Sequence, residues 1–441
     1  MSARTAYANV HEVLKKHMLA DGMDLVWDHQ KSHGSRLVDG KTGREFLDLF
    51  SFFATNPIGH NHPKIVTGEA AEEIARVALH NPSNSDIYTQ EMAEFVDTFW
   101  NLAVPDGFRY SFFVAGGSLA VENALKAAFD WKVRKNHAMG IKGEKGTKVI
   151  HFREAFHGRS GYTLSLTNTL PDKIRYFPKF NWPRVSNPKV IFPIEEHLGD
   201  IASGERKSIE EIKQAFLDYP DDIAAIIIEP IQAEGGDNHF RPEFFTQLRQ
   251  LADENDAMLI FDEVQTGLGL TGTWWMLEQT GVTPDMFAFG KKMQVCGFVA
   301  GPRIDEVPDN VFHVGSRINS TWGGNLVDMV RAKHYIRIIH EEKLLDNVKA
   351  VGKVLLAGLQ QVHKEFPTAV SNPRAKGLMG ALTIRDGATR SALLKKLNEL
   401  GVLMLPCGFN SIRVRPSLNI SKAEMEEGVQ KLGEALKAVT Q

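Results

Sequence analysis

Residues 257–264 read AMLIFDEV and residues 286–291 read MFAFGK. Each run is apolar until it reaches a charged side chain, Asp262 in the first and Lys291 in the second, which predicts two buried strands that end in a charge. Ligands of open α/β sheets bind at the carboxyl ends of the strands. We therefore expect the Asp262 carboxylate and the Lys291 amine to face opposite sides of one flat ligand.

The chemistry of this pair indicates pyridoxal phosphate (PLP). That cofactor needs a lysine for the Schiff base with its aldehyde and an acid that faces its pyridinium nitrogen. The alternative for Asp262 is an aspartate that starts a loop, and the alternative for Lys291 is a surface lysine at a strand end. Lys292, the next residue, is the candidate for such a surface lysine.

Strand and helix patterns alternate around these two runs. Strands are predicted at residues 109–114, 148–152, 189–193, 223–228, 257–262, 286–289 and 297–301, and helices at residues 119–135, 206–217, 242–254 and 325–341. This order favours the α/β class, with a mostly parallel sheet covered by helices on both faces.

Three segments follow from the pattern. Residues 66–340 form the large domain that is predicted to bind the cofactor. Residues 341–441 form a smaller α+β domain, with short strands at 377–384, 402–405 and 411–414 and helices at 344–364, 388–399 and 421–438. Residues 1–65 hold a short amphipathic helix at 10–19 and a hairpin at 35–43, and we expect this segment to share the core of the small domain.

A glycine pair follows the strand at residues 109–114. The sequence AGGS (115–118) stands between that strand and the next predicted helix, where backbone amides and the helix dipole can hold an anion. Gly117 and Ser118 are therefore candidates to bind the phosphate. The Ser118 hydroxyl either donates to the anion or caps the helix, and an ordinary strand-to-helix turn is the alternative for the whole segment.

Residues 267–272, GLGLTG, satisfy the pattern G-x-G-x-x-G. A dinucleotide site needs that pattern directly between a strand and its helix. Here the strand already ends near Asp262, and WWM (274–276) is a weak start for a helix. A nicotinamide dehydrogenase is therefore only a rival interpretation.

Composition excludes several other classes of protein. The chain has 441 residues, a net charge of −3 and 24% charged residues, so no general attraction to nucleic acid or to an anionic membrane is implied. No apolar stretch approaches the roughly 20 residues of a membrane span, and the N-terminus lacks the apolar centre of a secretion signal. Two cysteines, Cys296 and Cys407, give neither a disulfide framework nor metal spacing. We expect a cytoplasmic protein without a metal site.

Strings along the chain carry a resemblance to a known family. They are IGHNHP (58–63), AFHGR (155–159), EPIQAEGG (229–236), FDEVQTG (261–267) and RVRPSL (413–418). Together with Asp262 and Lys291 they resemble the class III (ω-amino) aminotransferases of PLP fold type I over nearly the whole length. The resemblance implies a large domain whose mostly parallel mixed sheet lies between helices, a smaller α+β domain, and a homodimer with shared active sites.

Further strings narrow the resemblance to lysine ε-aminotransferases. These are NPSNSD (81–86), FPKFNWPR (177–184) and NSTWGGN (319–325). Two positions depart from the class: Leu119 stands where many members have Glu, and Ala233 stands where Gly is frequent. Both departures are expected to change the shape of the pocket and not its charge.

The resemblance assigns roles around the cofactor ring. Lys291 would bind the cofactor covalently and, once released, move a proton between the substrate carbon and C4′ of the cofactor. Asp262 would keep the pyridine nitrogen protonated, Gln265 would bond the ring hydroxyl and Phe156 would stack on the ring. For the last two, the alternatives are a loop amide that faces water and a core phenylalanine.

The resemblance also predicts which residues bind the phosphate and which act across the dimer interface. Gly117 and Ser118 would hold the phosphate, and Thr321 would reach the phosphate of the neighbouring subunit. Asn84 would shape the substrate pocket of that subunit. The alternative for Thr321 is a hydroxyl in a turn.

The substrate side is a problem of charge. Arg159 would hold the distal carboxylate of both substrates, and Arg413 would bind the α-carboxylate of an oxoacid. A bare Arg413 would repel the ε-ammonium of lysine, so we hypothesise that Glu234 pairs with Arg413 for lysine and releases it for the oxoacid. Arg415 is a weaker candidate for the same role, and a solvated strand edge is the alternative for either arginine.

These assignments imply a reaction. The ε-amino group of L-lysine would pass through PLP to 2-oxoglutarate, giving 2-aminoadipate 6-semialdehyde and L-glutamate. The rivals are an ω-aminotransferase acting on ornithine, 4-aminobutyrate or a diamine, the nicotinamide dehydrogenase, and a non-catalytic binding protein.

Overall fold

The computed structural model describes residues 5–440. Residues 1–4 and 441, the outer ends of the two predicted terminal segments, lie outside it. The N-terminal part contains, in order, α1 (Val10–Lys15), β1 (Arg36–Val38), β2 (Glu45–Asp48), the single left-handed turn α2 (Ser51–Ala54), α3 (Pro63–Val66), α4 (Gly68–Val77) and α5 (Gln90–Leu102). The predicted hairpin is confirmed, because β1 and β2 pair antiparallel.

The middle of the chain builds a large mixed sheet. Its elements are β3 (Tyr110–Val114), α6 (Gly117–Ala138), β4 (Lys148–Phe152), α7 (Gly161–Leu166), β5 (Arg184–Val185), α8 (Ile194–Asp218), β6 (Ile223–Ile228), β7 (Ile231–Gln232), β8 (Asn238–His239), α9 (Pro242–Glu254), β9 (Met258–Asp262), β10 (Met286–Phe289), β11 (Cys296–Ala300) and α10 (Leu326–Glu341). Seven strands pair in the order β3-β11-β10-β9-β6-β4-β5, with the hairpin β7-β8 apart from them. Only β11 runs against its neighbours in this sheet, so the predicted mostly parallel arrangement is confirmed.

The C-terminal part has its own sheet and also completes the N-terminal one. It contains α11 (Leu344–Glu365), β12 (Val370–Lys376), β13 (Met379–Ile384), α12 (Gly387–Glu399), β14 (Val402–Leu403), β15 (Leu405–Cys407), β16 (Ser411–Val414) and α13 (Lys422–Thr440). Strands β12-β13-β16-β15 form one sheet, and β14 joins β1 and β2 in another. The two ends of the chain are therefore held together by backbone hydrogen bonds.

Alternating side chains on the central strands fill two separate cores. On one face, Phe261 and Phe287 pack with Phe244 of α9. On the other face, Ile260 and Met286 pack with residues of α6. All of these strand residues are fully buried. The continuous apolar runs in the sequence thus arise because both faces of the sheet are covered by helices.

Some predicted elements differ from the structure. The strand predicted at 189–193 is wrong: Pro188 and Pro193 bracket it, and proline cannot donate to a sheet ladder. The edge strand is instead β5, which pairs parallel with β4. The predicted helix at 10–19 ends at Lys15, and strand β12 was missed. Among residues 5–440, no helix is both long and apolar enough to cross a bilayer.

Candidate active site

A cavity of about 300 Å³ lies at the carboxyl ends of the parallel strands. Eight of the predicted site residues line it: Gly117, Ser118, Phe156, Arg159, Glu234, Asp262, Gln265 and Lys291. A larger cavity of about 920 Å³ lies elsewhere, between α6 and residues 180–182. That larger cavity includes none of the predicted site residues, so we place the site by its chemistry and not by its volume.

Asp262 and Lys291 end neighbouring parallel strands. Asp262 pairs with Ala288 in the register of β9 and β10, and Lys291 follows three residues later on a single helical turn. The backbone of Lys291 has φ +51°, a conformation that costs about 1–3 kcal/mol and occurs often at functional sites. Burial lowers the pKa of the Lys291 amine, and the charge of Arg413 lowers it further against the opposing charge of Asp262. The uncharged, nucleophilic form of this amine is thereby favoured.

The Asp262 carboxylate is fixed by two hydrogen bonds. His157 Nδ1 lies 2.8 Å from Oδ2, and the Val264 N–H donates to Oδ1 at 3.0 Å. Burial lowers the pKa of His157, but the hydrogen bond and charge of Asp262 outweigh burial and raise it overall. The His157 ring therefore fixes the orientation of the Asp262 carboxylate from inside the protein.

Glu229 also lines the cavity and was not predicted as a site residue. It follows the last residue of β6, one position beyond the pair formed by Ile228 and Phe261, so it lies beside Asp262 at the same edge. Its carboxylate accepts the backbone N–H of Phe156 at 2.9 Å and that of Ala233 at 3.1 Å. Burial raises the pKa of Glu229 to about 7. The strand-end rule applied to residues 223–228 would have found it.

The predicted phosphate site lies at the start of helix α6, where the backbone of neighbouring segments comes close together. Gly116 has φ +111° and is the N-cap of α6, so the interpretation of Ser118 as the cap is wrong. A Cβ on Gly158 would lie 2.2 Å from the Ser118 Oγ, and one on Gly117 would lie 3.0 Å from Val264 Cγ1. The glycines thus leave room beside the free amides of the helix start, where an anion is favoured.

Gln265 presents an unpaired acceptor to the cavity. Its side-chain Oε1 is buried and has no hydrogen-bond partner among residues 5–440. A buried amide oxygen without a partner is rare and costly. A ligand hydroxyl in the cavity would satisfy it, and the ring hydroxyl of PLP is the group predicted from the sequence.

Lys292 is not the surface lysine that the sequence suggested. Its side chain is buried, and Nζ donates to the carbonyl oxygens of Gln265 at 3.1 Å and Gly267 at 2.8 Å. Burial lowers the pKa of Lys292 well below its usual value, and Arg415 and Lys291 add to the shift. Lys292 therefore holds the loop that carries Gln265.

Replacing Lys292 with methionine should destabilise the protein. The change leaves two buried carbonyl oxygens without a donor, which should lower the free energy of unfolding by about 1–3 kcal/mol. Urea unfolding measures this value. Lys179→Met is the matched control, because Lys179 also donates to two carbonyls but on the exposed surface. Equal stability of the two variants would contradict the role of Lys292.

The two arginines of the C-terminal string have different partners. Arg413 Nη2 donates to Glu234 Oε2 at 2.8 Å, while Nε and Nη1 of Arg413 are buried without partners in the described chain. Arg415 instead forms a fully buried ion pair with Asp237. Arg413 therefore has donors to spare for a carboxylate, whereas Arg415 is a structural residue.

Glu234 has a second cationic partner that the sequence did not reveal. Lys173 Nζ donates to Glu234 Oε1 at 2.5 Å, opposite the Arg413 contact. Burial raises the pKa of Glu234, but Arg413 and Lys173 outweigh burial and hold it below its usual value. Glu234 is thus a carboxylate clamped between two cations.

Arg159 lines the cavity, whereas Thr321 and Asn84 lie outside it. Arg159 is exposed at the cavity and has no side-chain hydrogen bond or ion pair within residues 5–440. Thr321 is exposed and Asn84 is buried, and neither lines the cavity. They belong to one lobe, because Asn84 Nδ2 donates to the Gly324 carbonyl at 3.2 Å.

The glycine pattern at 267–272 does not start a helix. It forms a buried turn after β9, and the next regular element is the short 3-10 turn Met276–Gln279. A Cβ on Gly267 would lie 2.3 Å from the Trp275 ring. These glycines serve packing, and the dinucleotide interpretation has no structural support.

The chain resembles known proteins in both sequence and structure. The model of the aminotransferase class-III family matches residues 19–436. The chain is 51% identical over 432 residues to an L-lysine-epsilon aminotransferase of Mycobacterium tuberculosis, covering 98% of this chain and 96% of the relative. It is 48% identical to that of Streptomyces clavuligerus, covering 98% and 95%. A solved lysine aminotransferase from M. tuberculosis superposes with a TM-score of 0.97 at 50% identity, covering 99% of this chain and 100% of the other.

Proposed function

The chain belongs to the class-III aminotransferase family, and on that premise we propose that it transfers the ε-amino group of L-lysine to 2-oxoglutarate, giving 2-aminoadipate 6-semialdehyde and L-glutamate. The observation that carries this proposal is the Glu234–Arg413 ion pair beside Lys291. When Glu234 and Arg413 are paired, the charge of Arg413 is neutralised and a cationic ω-amine can bind. When the pair is open, Arg413 can bind a substrate carboxylate. The similarity to lysine-epsilon aminotransferases over 98% of the chain supports lysine as the donor.

The residues of the cavity fit PLP. Asp262 would face the ring nitrogen, the unpaired Gln265 Oε1 would accept a hydrogen bond from the ring hydroxyl, and Phe156 would cover the ring. Gly117 and Ser118 would hold the phosphate at the start of α6. When bound, PLP accepts the electron pair that substrate carbon releases.

The protein groups supply proton transfer and charge. The Lys291 amine, whose pKa is lowered by burial, would take a proton from the substrate carbon and deliver it to the C4′ carbon of bound PLP. His157 holds the Asp262 carboxylate in place through its Nδ1. Glu234 neutralises Arg413 when the ε-ammonium enters, and Arg159 at the cavity mouth binds the distal carboxylate.

We also propose that the protein forms a homodimer with shared active sites. Thr321 and Asn84 lie outside the cavity of their own chain, which supports the proposal that the segment holding them contributes to the cavity of a second copy. Exposed apolar side chains accompany that segment, including Ile87, Tyr88 and Trp322. Sedimentation equilibrium should give twice the mass of the 441-residue chain, and a monomer with full activity would contradict the shared site.

Isotope labelling tests the reaction. With lysine labelled at the ε nitrogen, the label should appear in glutamate, and with lysine labelled at the α nitrogen it should remain in the semialdehyde product. Mass spectrometry of both products measures this. Ornithine, 4-aminobutyrate and a diamine serve as comparison donors, and a higher kcat/KM for any of them would replace lysine in the proposal. The domain borders at 65 and 340 and the cytoplasmic location stay predictions.

A further inference from the structure

Lys173 and Arg413 hold opposite oxygens of one carboxylate. Lys173 Nζ lies 2.5 Å from Glu234 Oε1, and Arg413 Nη2 lies 2.8 Å from Oε2. The Arg413 side chain is 3% exposed, whereas that of Lys173 is 19% exposed. Arg413 therefore approaches Glu234 from the interior, and Lys173 approaches from the solvent side.

An aromatic ring accompanies each cation. Lys173 Nζ lies 5.3 Å from the ring centre of Phe156, and Arg413 Cζ lies 5.8 Å from that of Phe53. Both distances are in the range of cation–π attraction. Within residues 5–440, Glu234 is the only carboxylate in an ion pair with Lys173. Lys173 is thus held by two contacts with residues that line the cavity, one with Phe156 and one with Glu234.

The charges have different consequences for the two substrates. A dicarboxylate needs Arg413, so Glu234 must give up its contact with that arginine. A partly buried carboxylate without a partner is costly, and Lys173 removes much of that cost because it still pairs with the other oxygen. The ε-ammonium of lysine needs no such opening, because Glu234 stays between both cations.

We propose that Lys173 is a positioning residue that retains Glu234 when Arg413 turns to a substrate carboxylate, and that it thereby favours the dicarboxylate half-reaction. The inference rests on the proposed function. We call the pairing and release of Glu234 and Arg413 the Glu234 switch. Lys173 is the residue that binds Glu234 when this switch is open.

The test separates the two half-reactions of Lys173→Met holoenzyme by rapid mixing. The ratio of maximal rate to apparent Kd should fall about 10-fold for glutamate and 2-oxoglutarate and less than about 2-fold for lysine. Calorimetric binding of glutarate, which cannot react, should weaken by about the same factor as the dicarboxylates. Lys173→Arg should restore all three values, and Lys179→Met, in the same loop region, should leave them unchanged.

Two results would overturn the proposal. Equal losses for lysine and glutamate would mean that Lys173 binds the distal carboxylate common to both substrates. Unchanged glutarate binding would mean that Lys173 does not act on the switch. Urea unfolding of Lys173→Met shows whether the variant has a folding defect. If it has one, the same measurements on Lys173→Gln test the proposal. If the wild type instead prefers another donor, the proposed function fails, while the glutamate and glutarate measurements still decide the role of Lys173.

Discussion

Replacing Lys291 with alanine should lower turnover by about 10⁴-fold or more, because the protein loses both the covalent attachment point and the group that moves the proton. The position of Lys291 at the end of β10, beside the end of β9, supports this role. Steady-state assay with lysine and 2-oxoglutarate measures the loss. A second measurement is peptide mass after borohydride reduction, which should show the mass of the cofactor at Lys291 in the wild type and at no lysine in the variant.

The adjacent lysine makes this test demanding. Lys292 is also buried, but its Nζ already donates to two backbone carbonyls. Peptide fragmentation must therefore distinguish the two positions. Cofactor fixed at Lys292, or turnover of the Lys291→Ala variant within about 10-fold of the wild type, would show that the assignment is wrong. Lys179→Ala is a control for removal of an exposed lysine.

The central strands of the large sheet, and the charged residues at their carboxyl ends, were predictable from the sequence. Strands buried on both faces are continuous apolar runs, and such runs show clearly where a charge begins. Asp262 and Lys291 were found in this way. Glu229 obeys the same rule but was not assigned, because the run at 223–228 was read only as a strand.

The peripheral parts of the site were not predictable by such a rule. Lys173 lies in the short 3-10 turn Pro171–Lys173 and contacts Glu234, 61 positions later in the chain. No periodic pattern connects a loop lysine to a distant carboxylate. Lys292 was misjudged because lysine is almost never fully buried without a partner, and its partners are backbone carbonyls, which have no signature in sequence.

The failure at residues 189–193 has a simple physical origin. The run is apolar enough for a strand, yet a strand in this sheet also needs backbone donors along its length. Proline at both borders limits them, and the Val190 N–H is used on the carbonyl of His239 instead. The sequence pattern shows that residues 189–193 are hydrophobic, but it does not show whether their backbone groups pair with a neighbouring strand.

Replacing Glu234 with glutamine should reverse the substrate preference against lysine. Arg413 is buried, and without the carboxylate its charge faces the ε-ammonium with nothing to neutralise it. Loss of one partner of a buried pair costs about 3–5 kcal/mol, and the partial exposure of Glu234 puts the expected cost near the lower value. Since 1.4 kcal/mol corresponds to a factor of ten, kcat/KM for lysine should fall by about 10²-fold.

The glutamate half-reaction supplies the internal standard for this prediction. Glutamate brings its own α-carboxylate to Arg413, so its kcat/KM should change by less than about 3-fold in Glu234→Gln. Glu306→Gln, which removes an ion pair with Lys135 at the far end of α6, is the control for loss of a carboxylate elsewhere. Equal losses for lysine and glutamate would exclude the switch. Because Lys173→Met should penalise the dicarboxylates and Glu234→Gln should penalise lysine, the two variants should shift selectivity in opposite directions, which a general weakening of the site cannot produce.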